Sequence, residues 1–230
     1  MFSLLKPFIF KIDPEMAHDL AIKSLKYNFL PEDIFRVENE SILETKMFNT
    51  KIKNPIGLAA GFDKSAEVYN SLFKFGFGFI EAGTVTPKEQ YGNPKPRVFR
   101  LESDRALINR LGFNNDGLLK VSKRLQNNSP TGFLGINVGP NKDSENKIED
   151  YLKCIKEIHN LASYITINIS SPNTPGLRDF HDKSTLQNLL QKITEFTKKN
   201  KIKKPLALKV SPDIADSEIG YIVEFMKRFN

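Results

Sequence analysis

Cysteine is nearly absent: Cys154 stands alone in 230 residues. A single cysteine excludes an internal disulfide and fits a reducing compartment. It falls inside the helical spacing Ile148, Tyr151, Leu152, Ile155 and Ile158, so it reads as an ordinary helix residue rather than a nucleophile. Histidine is scarce too, and His18, His159 and His181 show no metal-ligand spacing. The chain lacks GxGxxG, the P-loop and HExxH, and with them the common dinucleotide, nucleotide and zinc signatures. No run approaches the ~20 apolar residues of a membrane-spanning helix. The opening MFSLLKPFIFKIDPEMAHDL has no small-residue cleavage site of the kind a signal peptide carries.

What is plentiful is basic charge, a formal net of +7 with a pI near 9.3. Such charge suits nucleic acid, an anionic membrane surface or small anionic ligands, and net charge alone does not choose among them. Lysines and arginines are interleaved with acids along the chain. The densest basic run, from Lys198 to Lys204, follows a helical pattern and reads as a solvated connection, so no nucleic-acid partner is expected. Apolar residues make up 40% of the chain, enough for a sizeable core.

Two regions differ in pattern. Residues 1 to about 45 read as helical. Asp13-Pro14-Glu15 is a helix start, with Asp as cap and Pro in the first turn. Met16, Ala17, Leu20, Ala21 and Leu25 then recur at helical spacing. From about residue 54 the chain alternates strand and helix. Ile56–Ala60, Phe77–Ala82, Gly132–Val138, Tyr164–Ile169 and Pro205–Val210 read as buried parallel strands. Between and after them lie the amphipathic stretches Ala66–Phe75, Asp116–Leu125, Lys147–Ala162, Leu186–Thr197 and Ser217–Phe229. This alternation predicts a parallel sheet wrapped by helices, doubly wound or a barrel.

Each strand ends in a compact polar loop: AAGFDKS, EAGTVTP, INVGPNK, INISSPN and LKVSPD. Active sites of parallel α/β folds form at strand C-termini. Five consecutive strand ends of this kind favour one shared site at the mouth of a barrel. A complete (β/α)8 barrel takes about 250 residues, so about five of its eight units are expected here. Asn137, Asn168 and Asn173 are neutral donors and acceptors suited to planar, amide-rich groups. Lys64 and Lys209 are strand-end cations for electron-rich atoms. A single such Asn is usually a turn former and a single such Lys usually reaches solvent. It is their recurrence together that points to a site.

The stretches DPEMAH, NPIGLAAGFDK, GFGFIEAGTVTP, GNPKPRVFRL, INRLGFNNDG, GINVGPNK, NISSPNTPGLR and ALKVSPD occur in this order along the chain. By them the sequence closely resembles the class 2, quinone-dependent dihydroorotate dehydrogenases over essentially its whole length. The resemblance implies an α/β fold of TIM-barrel type, FMN at the strand ends, and oxidation of dihydroorotate to orotate in pyrimidine biosynthesis. It divides the chain into membrane- and quinone-associated helices over residues 1–45 and a partial FMN-binding barrel over residues 46–230.

By motif, Ala60, Gly61, Phe62, Asp63, Lys64, Thr84, Asn137, Asn168 and Lys209 are implied to hold FMN. Lys64, Asn109, Arg110, Leu111, Gly112, Phe113, Asn168 and Asn173 are implied to hold the substrate. Ser171, the second serine of ISSPN, matches the family's base, which takes the C5 proton while a hydride leaves C6 for the flavin. Class 1 enzymes carry Cys at that place. His18 and Arg100 are implied to meet the quinone, and the enzyme to sit peripherally on a membrane, on its cytoplasmic face in a bacterium. The resemblance also implies further strands after residue 230, with a Thr/Asn substrate motif and a glycine-rich flavin-phosphate site, so a fragment or a truncated gene product is expected. Two other readings stand beside this one: a class 1-like enzyme using a soluble acceptor such as fumarate or NAD, and a non-catalytic remnant bound to a membrane surface.

Overall fold

The computed structural model describes residues 2–29 and 41–229. The chain begins with two helices, α1 (Phe2–Ile9) and α2 (Pro14–Lys26). Asp13 caps α2 as its sequence predicts, its Oδ1 accepting from the N–H groups of Glu15 (3.0 Å) and Met16 (2.9 Å). The helical pattern expected through residue 45 ends earlier among the described residues: Ser41–Leu43 is one 3-10 turn and Thr45 opens a strand, while residues 30–40 lie outside the described residues. An exposed hairpin of β1 (Thr45–Met47) and β2 (Thr50–Ile52) leads into the main body.

There β3 (Gly57–Leu58), α3 (Tyr69–Phe73) and β4 (Phe79–Val85) are followed by a second hairpin, β5 (Val98–Leu101) and β6 (Ala106–Asn109). The remainder runs α4 (Leu118–Asn127), β7 (Phe133–Val138), α5 (Lys147–Ile158), β8 (Tyr164–Asn168), α6 (Lys183–Lys199), β9 (Leu206–Lys209) and α7 (Asp216–Arg228). The main sheet has the order β3-β4-β7-β8-β9, every pair parallel. Strands that neighbour one another in chain order, without reversal, form the arc of a barrel. A doubly wound sheet would reverse its order at a switch point.

Burial explains the alternation. Ile80, Leu134, Ile136, Ile165 and Ile167 are at most 2% exposed and pack in one core with α5 and α6. Helix α5 contributes Tyr151, Cys154, Ile155 and Ile158, and α6 contributes Leu186, Leu189, Leu190 and Ile193, each set recurring at the spacing of one helix face. Complete burial pushes the Cys154 thiol well above its ordinary pKa, which agrees with a packing role.

Two features differ from the sequence expectation. The helix expected over Ala66–Phe75 is only α3, because the Asp63 carboxylate accepts from the N–H groups of Glu67 (2.8 Å) and Val68 (2.9 Å) and holds the preceding turn in a loop. The two hairpins escape the pattern because their strands are only three or four residues long and β1, β2 and β6 are largely exposed, so no apolar alternation marks them.

Helix α2 is fastened to the body by a shielded ion pair. Arg97 donates from Nε to both Glu15 oxygens (3.2 and 3.0 Å) and from a terminal nitrogen to one of them (2.5 Å), with only 7% and 12% of the two side chains exposed. Its other terminal nitrogen bonds the carbonyls of Tyr91 and Asn93. These hydrogen bonds hold the Glu15 carboxyl below its ordinary pKa against the opposing push of burial. Removing one partner of such a pair strands the other's charge and costs about 3 kcal/mol. Arg97→Met is therefore expected to release α2, read as faster hydrogen exchange in α1 and α2 with α5 and α6 unchanged. A carboxylate with a lowered folded pKa stabilises docking above its unfolded pKa and loses that contribution as pH falls through the folded one. The protection factors of α2 in the unmodified protein, taken relative to intrinsic exchange at each pH, should accordingly fall with acid.

Candidate active site

The loops after β3 and β4 are tied by reciprocal backbone bonds: Gly61 N–H to Gly83 C=O and Gly83 N–H to Asp63 C=O, both 2.9 Å. Gly83 has φ +122°, and a Cβ there would lie 2.4 Å from the Asn137 carbonyl oxygen, so the strands approach this closely only around glycine. Gly61, at φ +114°, is different: a Cβ would meet nothing within 4 Å. Its bare face opens onto free space.

That space is a cleft of about 400 Å³ at the C-terminal ends of the strands. Ala60, Gly61, Lys64 and Thr84 line it from β3 and β4, and Asn168, Ser171, Asn173 and Lys209 from β8 and β9. Asn109 at the end of β6, and Leu111, Gly112 and Phe113 just after it, supply the remaining predicted lining residues. A larger hollow of about 800 Å³ lies at the opposite strand ends, beside Ile52, Phe77 and Phe133. None of the polar strand-end loops reaches it, so the smaller cleft is the candidate site.

The floor of the cleft is a connected polar layer. Thr84 Oγ1 donates to Asn137 Oδ1 (2.7 Å), and Asn168 Nδ2 donates to both of those oxygens (3.0 Å each). Asn168 Oδ1 accepts from the N–H (3.0 Å) and Oγ (2.7 Å) of Ser170, and Lys209 Nζ donates to Ser170 Oγ (2.8 Å). Ser171 stands half-buried at the rim, its Oγ accepting from the Asn173 N–H (3.2 Å). That bond leaves the hydroxyl proton and further acceptor capacity for another partner.

Lys64 belongs to two hollows. A second one, about 300 Å³, lies under α2 and is lined by Glu15, His18, Phe62, Lys64 and Asn114. Lys64 Nζ is 3.3 Å from His18 Nε2, and the His18 ring packs edge-on against Phe62 with centroids 5.1 Å apart. An ammonium only donates, so Nε2 accepts and the ring proton sits on Nδ1. Burial lowers both pKa values, and the Lys64 charge lowers that of His18 further.

Several predicted residues lie elsewhere. Asp63 is 1% exposed and engaged in its loop, where burial raises its pKa. Phe62 faces the second hollow. Asn137 is fully buried beneath the cleft and meets it through Thr84 and Asn168. Arg110 turns outward, donating to the Pro96 carbonyl (3.2 and 2.9 Å) and lying over the Phe99 ring at 5.9 Å. Arg100 stands on β5. It donates to the carbonyls of Phe10 (3.3 Å) and Ile12 (2.7 Å) and covers the Phe10 ring at 4.8 Å, joining the α1–α2 link to β5.

Residues 42–230 match the family model of dihydroorotate dehydrogenase. The chain belongs to the dihydroorotate dehydrogenase family. It is 48% identical over 223 residues to the dihydroorotate dehydrogenase (quinone) of Bartonella tribocorum, covering 95% of this chain and 61% of that protein. Against the enzyme of the same name from Idiomarina loihiensis it is 45% identical over 231 residues, 97% and 69% of the two chains. The crystal structure of DHODH from Eimeria tenella in complex with ferulenol superposes with a TM-score of 0.87 at 36% identity, over 94% of this chain and 64% of that one. The chain thus spans about three fifths of the length of the Bartonella relative.

Within this dehydrogenase-family cleft, motif membership missed two groups. Ser170 is the buried serine that joins Lys209 to Asn168, whereas attention to NISSPN falls on Ser171. Glu81 lies below the cleft and accepts from Asn137 Nδ2 (2.8 Å). Its signal was an acid inside the apolar run FIEAG.

Proposed function

We propose that this chain forms most of the flavin- and substrate-binding barrel of a quinone-linked dihydroorotate dehydrogenase, an oxidoreductase of pyrimidine biosynthesis that converts dihydroorotate to orotate. The observation that carries the reading is the convergence of Lys64, Thr84, Asn168, Ser171 and Lys209 on one cleft, in a chain whose relatives are named for that reaction with quinone.

The residues suit FMN. The bare Gly61 surface admits a flat ring, neutral amides match the edges of a pyrimidine-like system, and Lys209 supplies a cation at the cleft floor. Ala60, Gly61, Lys64, Thr84, Asn168 and Lys209 would hold the flavin, which when bound accepts a hydride from C6 of the substrate. Lys64, Asn168 and Asn173 orient dihydroorotate, and Ser171 removes the C5 proton. A serine hydroxyl is a weak base, so its contribution depends on a held substrate and onward proton transfer. Phe113 and Leu111 close the apolar side and limit water.

The acceptor side is assigned to residues 1–45, with the barrel domain beginning at residue 46. His18 and Phe62 line the hollow under α2 and share Lys64 with the cleft, which supports an acceptor site for the quinone beside that for the flavin. Phe8, Met16 and Leu20 of α1 and α2 are at least half exposed, as suits helices lying in a membrane interface beside Lys6 and Lys23. Among the described residues no helix is long and apolar enough to cross a membrane, and the attachment proposed here is a peripheral one.

In the full-length protein Ser171→Ala is expected to keep FMN bound while slowing anaerobic flavin reduction by dihydroorotate at least ~100-fold. Reduction at the unmodified rate would remove Ser171 as the base. Deleting α1 and α2 should abolish quinone reduction and vesicle binding while dihydroorotate still reduces the flavin. A deletion protein that reduces a hydrophobic quinone at full rate would move the soluble-acceptor reading ahead.

A further inference from the structure

We propose that Glu81 is a positioning residue that anchors the acceptor end of a hydrogen-bond chain across the barrel, and thereby holds the buried Asn137 amide in the orientation that supports Thr84 and Asn168 beneath the flavin; this deepens the flavin reading above and rests on it.

The direction follows bond by bond. Lys209 Nζ only donates, so Ser170 Oγ accepts from it and gives its own proton to Asn168 Oδ1. The backbone N–H of Ser170 also bonds Asn168 Oδ1 and can only donate, which orients that amide independently. Asn168 Nδ2 therefore donates to Thr84 Oγ1, and Thr84 passes its proton to Asn137 Oδ1. Asn137 is left with its NH₂ pointing down the barrel, where Glu81 Oε1 receives it at 2.8 Å. The chain runs from an ammonium on β9 to a carboxylate on β4, each member donating the same way.

Glu81 is built into this place. In the sheet register it pairs with Gly135, which pairs with Tyr164. Gly135 has no side chain, and a Cβ there would lie 2.1 Å from the Tyr164 ring. That gap lets Glu81 reach across β7 to β8, where Oε2 accepts from Tyr164 OH (3.1 Å) and Thr166 Oγ1 (2.7 Å). Burial, and then the neighbouring carboxylate, push the Tyr164 hydroxyl far above its ordinary pKa, keeping it a donor. With three donors aimed at it, the carboxylate can receive the Asn137 amide in one orientation only. If that amide turned over, its NH₂ would face the NH₂ of Asn168.

The test exchanges donor and acceptor. In the full-length protein, Asn137→Asp sets a second carboxylate against Glu81. At alkaline pH, with both ionised, FMN affinity measured by flavin fluorescence should fall at least about a hundredfold. Adding Glu81→Gln restores a donor to that position while the upper chain keeps its direction, so the double variant should return to within about tenfold of the unmodified protein. Glu81→Met, which offers no strong acceptor, should weaken FMN at least about tenfold with the melting temperature of the flavin-free protein as the check on folding. A double variant no better than Asn137→Asp, or a folded Glu81→Met that binds FMN normally, would overturn the proposal. An unmodified protein that binds no FMN would overturn the flavin reading itself, and the inference with it.

Discussion

Asn137 is fully buried and Asn168 is 4% exposed, yet each amide brings two donor positions and an acceptor oxygen into the barrel. Buried polar groups left unpaired are costly, so these must be satisfied by other strands. That requirement joins β4, β7, β8 and β9 at their C-terminal ends through Glu81, Thr84, Asn137, Asn168, Ser170 and Lys209. The aliphatic core sets where the strands run. The polar layer sets what the mouth of the barrel presents, and in which orientation.

Rigidity at the floor contrasts with the rim. Ser171 uses one hydrogen bond to its own loop, so its hydroxyl can serve a ligand without dismantling the layer below. Lys64 is the link in the other direction, lining the cleft and touching His18 in the hollow under α2. That hollow depends on α2 being held in place, which the Glu15–Arg97 pair does from the first turn of that helix. The two half-reactions proposed for the protein thus meet at one wall, with Lys64 in it.

Much of the architecture was legible in the sequence. All five parallel strands follow from apolar runs, and their polar ends locate the cleft, because buried strands and strand-end loops differ sharply in composition. The β1–β2 and β5–β6 hairpins were not legible, since exposed strands such as Ala106–Asn109 carry no apolar alternation. At the site, motif membership identified neighbourhoods without reporting where side chains point. Asp63 and Lys64 are adjacent in one motif, yet Asp63 closes its own loop while Lys64 enters the cleft. Arg110 sits inside the substrate-side motif and turns away to Pro96. Arg100 is drawn to main-chain carbonyls of the α1–α2 link, a partner that no local pattern announces. Glu81 shows the converse: an acid in an apolar strand marks a buried acceptor, although spacing does not say for which donor.

The most direct measurement of the central claim is a crystal structure of the full-length protein grown with FMN and orotate. The account predicts the isoalloxazine ring over Gly61, the Asn168 amide within hydrogen-bonding distance of both ligands, and Ser171 Oγ against C5 of the pyrimidine. Flavin in the hollow at the opposite strand ends, or Ser171 turned away from the pyrimidine with the loop ordered, would contradict it.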